Sequence, residues 1–147
     1  MVTLPGSSDL VTFPAYQDEL MVVLHKDDPL PTTKNRIAPR KLVHQPFLMP
    51  QDATENLVRS VFATAGVEPN VILTAQDAHM LLEFVRQGLG ITVLPSNLLE
   101  PGRLRGLKAI ALHPRVLRRV AFAAVSLESL TPAASAFLKL LETQSRP

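Results

Sequence analysis

The chain has no cysteine and no tryptophan, one tyrosine, and only 5% aromatic residues over its 147 positions. Without a thiol, structural disulfides, thiolate catalysis and cysteine-ligated zinc are excluded, and cysteine usage leaves the redox compartment unmarked. No apolar run approaches the roughly 20 residues that a membrane-spanning helix requires. No basic stretch followed by an apolar one marks the N-terminus as a leader, so a cytoplasmic protein is expected. Charge of one sign is also scarce: the net charge is +2 despite a pI near 9.3, too mild a bias to hold a polyanion. What is present, 46% hydrophobic and 19% charged residues, is the composition of one soluble globular domain with a real core.

Catalytic and metal-binding patterns are missing too. The histidines, His25, His44, His79 and His113, are scattered, with no pair three or four residues apart, so no zinc site and no other metal centre is expected. There is no Gly-x-Ser-x-Gly, and the serines cluster in turn-forming stretches at Ser7-Ser8 and Ser126 to Ser129. Asp27-Asp28 lies in a proline-rich connection, where turn formation accounts for both carboxylates better than acid–base work. The stretches "GRLRGLK" and "RVLRR" hold six of the fifteen Lys and Arg residues. They carry no interleaved aromatics for base stacking and read as a solvated connection.

The periodicity is that of an α/β protein. "LVTFP" (Leu10–Pro14) and "ELMVVLH" (Glu19–His25) read as two short strands, the second apolar enough to be buried on both faces. The segment from Lys26 to Lys41 breaks all periodicity, with at most a short helical turn near Arg40 to Val43. "PFLMP" (Pro46–Pro50) is a strand. Asp52 and Glu55 stand at capping-box spacing before a helix with Val58, Val61, Phe62 and Ala65 on one face, and Gly66 offers a left-handed stop. "NVILTA" (Asn70–Ala75) is the next strand. Asp77 then caps a helix whose apolar stripe is Ala78, Leu81, Leu82, Val85 and Leu89, and "GITVLP" follows as a strand. This alternation predicts a sheet with right-handed crossovers. Strands at Leu107–Leu112 and Val120–Val125 come next. A last helix is capped by Thr131 with Pro132 at its first position, and Ala134, Phe137, Leu138 and Leu141 lie on one side.

The Gly-Leu-Gly at Gly88 to Gly90 is not a phosphate cradle. In a dinucleotide fingerprint the glycines leave a strand and open a helix, whose positive N-terminus meets the phosphate. Here they leave a helix at its negative end and enter a strand, so their role is conformational. One takes a positive φ, the other permits close backbone passage, and Pro95 closes the strand.

The same residues carry a resemblance. "EFVRQGLGITVLPSNLL" resembles a hallmark of the effector-binding domain of LysR-type transcriptional regulators, in which a helix turns through Gly-x-Gly into a strand ending Leu-Pro. "ELMVVLHKDDPL", "PFLMP", "VFATAGVEPNVILTAQDAHMLLEFV" and "TPAASAFLKLL" are similar to the family's crossover strand, next strand, central helix-strand-helix and final helix, in that order. Asp28-Pro29-Leu30 departs from the family, which usually has His before Pro-Leu. The resemblance implies an α/β, periplasmic-binding-protein-like (type 2) effector domain with one lobe nearly complete and the other partial. Residues 1–25 would be a piece of lobe I with the crossover strand, 26–118 lobe II, and 119–147 the return strand and final helix of lobe I. The winged helix-turn-helix with which the family begins does not precede Met1, so DNA would be reached only through that missing domain.

Small ligands of α/β sheets gather at the C-terminal ends of strands, beside helix N-termini. Two such junctions are available, Met49 and Pro50 through Gln51 to Thr54, and Thr74 through Gln76 and Asp77. The resemblance implies the same places, with the effector, a small organic metabolite, lying between lobes. Asp52 and Asp77 serve first as helix caps, which uses up N–H donors and disfavours a densely anionic ligand. Gln51, Thr54, Thr74 and Gln76 are the candidates for direct polar contact. The sequence thus points to a non-enzymatic, self-associating regulatory domain fragment without a cofactor. A transport-type solute-binding protein, or an enzyme on the same two-lobe fold, is the competing reading.

Overall fold

In a computed structural model of the chain, residues 10–30 and 35–144 are described. Ser7-Ser8 and positions 31–34 of the proline-rich connection lie outside these residues. The chain divides into two compact units, one of Met1–Gln17 with Arg119–Pro147 and the other of Asp18–Arg118. The division falls at Gln17, so residues 18–25 belong with the larger unit.

The larger unit is a mixed sheet with a helix on each face. Strand β1 (Val11–His25) lies between β5 (Thr92–Pro95) and β6 (Leu107–Leu112), antiparallel to both, and β6 pairs in parallel with the two-residue β2 (Arg36–Ile37). Strands β3 (Pro46–Pro50) and β4 (Asn70–Ala75) form a parallel pair, and β3 meets the residue before β5 through a parallel Phe47–Ile91 bridge. The strand-helix alternation from Pro46 to Pro95 thus gives neighbouring parallel strands, β4, β3 and β5, as expected of crossovers, and β1 adds an antiparallel partner on the other side of β5. Thr92, fully buried in β5, secures the β3–β5 seam by donating its hydroxyl to the Leu48 carbonyl at 2.7 Å.

The two-residue pleat distributes the core to both faces. Leu20, Val22 and Leu24 of β1, Phe47 and Met49 of β3, and Val93 of β5 join Val58 and Phe62 of helix α1 (Glu55–Thr64) in one cluster. The Phe47 and Phe62 rings meet edge to face with centroids 5.3 Å apart. Val23, Leu48 and Leu94 point the other way, against Leu81, Leu82 and Val85 of helix α2 (Ala78–Arg86). Leu89, assigned to the same stripe from spacing, lies beyond the helix end and is exposed. The expected strands Leu10–Pro14 and Glu19–His25 are one continuous strand. Its Pro14 is exposed, where a missing N–H is tolerated.

The junction between α2 and β5 depends on two glycines for different reasons. Gly88 has φ +79°, with open space where a side chain would stand. At Gly90 a Cβ would lie 2.3 Å from the Pro46 carbonyl oxygen, which accepts the Ile91 N–H at 2.9 Å. Gly66 ends α1 at φ +69°.

The smaller unit includes most of β7 (Leu117–Ala124), a partner of β1, and helix α3 (Pro132–Gln144). Thr131 caps α3 by accepting the Ala134 N–H at 3.2 Å, Leu138 is buried, and Phe137 stacks edge to face on Phe122. Ser126 and Ser129 bond each other's backbone in the turn between these elements.

Candidate functional site

Parallel pairing of β3 and β4 places the two sequence-predicted junctions side by side. Pro50 is in register with Ala75 and Met49 with Thr74, and the Gln51 N–H donates to the Ala75 carbonyl at 2.8 Å. Both chains leave the sheet at the same edge and enter helices. At α2, Asp77 is an N-cap, accepting the His79 N–H at 2.8 Å. At α1, Asp52 accepts the Thr54 N–H at 2.7 Å, but the expected capping box is not formed. An added turn, with the Glu55 N–H on the Asp52 carbonyl, delays the helix to Glu55. The Glu55 carboxylate, instead of turning back, pairs with Arg59 one turn ahead at 2.8 Å.

The candidates separate by exposure. Gln51, Thr74, Gln76 and Asp77 are exposed, whereas Met49 and Pro50 are buried and Thr54 is 1% exposed. The Met49 side chain faces the core against α1, so a ligand would meet only backbone at that position. The accessible set is an amide, a hydroxyl and a second amide, flanked by Asp52 and Asp77. These groups donate to and accept from hydroxyls, amides and carbonyls. The two carboxylates, each already holding an N–H, set a negative local charge that repels multiply charged anions.

A third strand end reaches this edge and was not singled out from the sequence. Because β5 runs parallel to β3, its C-terminus is followed by Ser96 and Asn97 on the same side of the sheet. Ser96 Oγ accepts the Glu19 N–H at 3.3 Å, and Asn97 Oδ1 accepts from Arg118 at 3.3 Å. The rule that ligands gather at C-terminal strand ends applies equally to "LPSN". Arg118 corrects the reading of "RVLRR" as a solvated connection: it lies in β7 and grips Asp18 through two bonds of 3.0 and 2.7 Å.

Among the described residues no three His, Asp or Glu side chains are gathered as a metal site would require. His25 accepts the Asp27 N–H, and Asp28 accepts the Leu30 N–H in the local turn predicted for this pair. Two concavities of the unit lie away from the junctions. One of about 610 Å³ is bordered by Arg59, Phe62 and Gly66 to Pro69, at the negative end of α1, and an apolar one of about 360 Å³ lies among Pro39, Leu57, Val61 and Val116. Neither is near Gln51, Thr74 or Gln76. No helix among the described residues is long and apolar enough to cross a membrane.

Comparison with known proteins identifies the family of the chain. The sequence profile described as LysR substrate binding domain matches residues 1–146. The chain belongs to this LysR family. Over 104 residues it is 35% identical to the HTH-type transcriptional regulator SsuR of Burkholderia cenocepacia, a match covering 69% of this chain and 33% of SsuR. Its LysR fold is shared with the CcmR regulatory domain of Synechocystis PCC6803, whose structure is a complex with 2-PG. The TM-score is 0.85 at 23% identity, over 99% of this chain and 72% of that one. It is also shared with the effector binding domain of QuiR in complex with shikimate, at TM-score 0.82 and 19% identity over 97% and 68% of the two chains. The architecture is thus the α/β, periplasmic-binding-protein-like fold of LysR effector domains. The chain spans about a third of the length of its regulator relative.

Proposed function

We propose that this chain is the sensing part of a cytoplasmic LysR-type transcription regulator, and that the strand ends of its larger unit hold a small organic metabolite. The observation that carries this reading is the abutting of Gln51 and Thr74–Asp77 through the Gln51–Ala75 hydrogen bond, at the edge where two helices begin. Gln51, Thr74 and Gln76 make the direct polar contacts, Asp77 orients the α2 terminus, and Met49, Pro50 and the buried Thr54 shape the wall from behind. The role is sensing, not catalysis: the site offers two hydrogen-bonding amides and a hydroxyl and, among the described residues, no nucleophile held by a base. SsuR is a transcriptional regulator, and the CcmR and QuiR domains were captured with 2-PG and shikimate. These support a small-molecule effector here, with DNA contacted by a separate domain of the regulator.

The local charge refines the class. With Asp52 and Asp77 at the rim, the preferred effector is a polyhydroxyl or amide-bearing molecule with at most one negative charge. Calorimetric titration of the chain with shikimate and with 2-PG tests this. Shikimate, with its hydroxyls and single carboxylate, should bind more tightly than 2-PG, and Gln51→Ala or Gln76→Ala should weaken it about tenfold or more. Equal binding by wild type and both variants would remove these residues from the site.

A further inference from the structure

Asp18 and Arg118 are the first and last residues of the larger unit. Their side chains meet through two hydrogen bonds, with the Asp18 side chain 5% exposed and that of Arg118 22%. Just inside them, the Leu20 N–H donates to the Val116 carbonyl at 2.9 Å, so the segments leading to both exits are joined by backbone as well. The guanidinium nitrogen making the 2.7 Å bond to Asp18 also donates to Asn97 in the turn that follows β5. The neighbouring carboxylate, Glu19, has its own cations, Arg36 at 3.5 Å and Arg115 at 3.2 Å.

We propose that Asp18, Arg118 and Asn97 form a latch coupling the C-terminal end of β5 to both strands by which the chain leaves the unit. A forked ion pair with a nearly covered carboxylate resists opening, because separating it leaves that charge unpaired and poorly hydrated. The two exits are therefore held as one element, and through Asn97 that element is tied to the edge where the candidate ligand site lies. A change at the strand ends reaches β1 and β7 together. The latch depends on the effector reading only for the source of such a change, and its own test needs no ligand.

Hydrogen exchange on the full chain, read by mass spectrometry, provides that test. Asp18→Asn should speed exchange about tenfold in three places at once, Tyr16 to Leu20, Val116 to Val120 and Ser96 to Leu99, with β3 and β4 unchanged. The reversed pair, Asp18→Arg with Arg118→Asp, should restore much of the protection at all three. Asn97→Ala keeps the ion pair and should speed exchange in Ser96 to Leu99 while the two exit segments stay protected. Loss of protection confined to the mutated strand, a reversed pair no better than either single change, or an Asn97→Ala chain indistinguishable from wild type would each overturn the latch. If Asp18→Asn does not fold, the Asn97→Ala comparison decides alone. Failure to bind any ligand would leave the latch standing, whereas uncoupled exits with intact ligand binding would remove the latch and keep the site.

Discussion

Replacing Gly90 by alanine adds one carbon where the Pro46 carbonyl already stands. The added Cβ would be 2.3 Å from the oxygen and 2.9 Å from the carbonyl carbon, distances that backbone must relieve by moving. That oxygen accepts the Ile91 N–H, and Ile91 in turn accepts the Leu48 N–H at 2.8 Å. Retreat of β3 therefore strains two bonds, one of them between nearly inaccessible residues, Ile91 and Leu48 being 1% and 0% exposed. Overpacking costs about 1–3 kcal/mol, and weakening a buried hydrogen bond adds about 1 kcal/mol. The sum, about 2–4 kcal/mol, corresponds to a fall of roughly 6–15 °C in Tm for a chain of this size. Gly88→Ala is the control. It meets no neighbour within 4 Å, and only its φ of +79° is penalised, at about 1–2 kcal/mol. Gly102→Ala, also in open space and without a positive φ, should be neutral. Thermal unfolding by circular dichroism should rank Gly90→Ala well below Gly88→Ala, and both below Gly102→Ala. A Gly90→Ala chain melting within a degree of wild type would refute the close-approach argument.

Three further outcomes are expected. Asp77→Ala removes the acceptor for the His79 N–H and should lower stability by about 1 kcal/mol in urea titration, whereas Asp77→Ser should recover most of it. Thr92→Val keeps the shape but loses the hydroxyl bond to Leu48 across the β3–β5 seam; about 1 kcal/mol of destabilisation is predicted, and a stabilised variant would show that bond to be dispensable. In the smaller unit Phe122, Val125, Leu127, Phe137 and Leu140 are all exposed, so the chain should self-associate. Sedimentation giving a compact monomer across micromolar concentrations would contradict that.

The elements readable from sequence were those with local punctuation. β3 and β4 have the expected boundaries because Pro46, Pro50, Asn70 and the helix-capping Asp77 bracket short apolar runs. The α3 start followed from Thr131-Pro132, and the strand Leu107–Leu112 from its apolar run. What was missed depends on partners distant in sequence. Arg36–Ile37 is a strand only because β6 lies beside it, and Thr92 is a polar core residue only because the Leu48 carbonyl faces it. Arg118 reads as one of several solvated arginines until Asp18, one hundred residues away, is brought against it. Part of the candidate site was legible for a local reason: helix N-termini announce themselves by their caps. Which side chains remain accessible was not, since the burial of Met49 and Thr54 is fixed by how β3 and α1 pack.

The central claim is that the abutting ends of β3 and β4 hold a small polar effector. The most direct measurement is a calorimetric titration of shikimate into the wild-type chain and the triple variant Gln51→Ala, Thr74→Ala, Gln76→Ala, with matched Tm values showing that both are folded. Saturable binding by the wild type that falls at least about tenfold in the variant is the predicted result. Undiminished binding by a folded triple variant would contradict it and place the effector elsewhere on the chain.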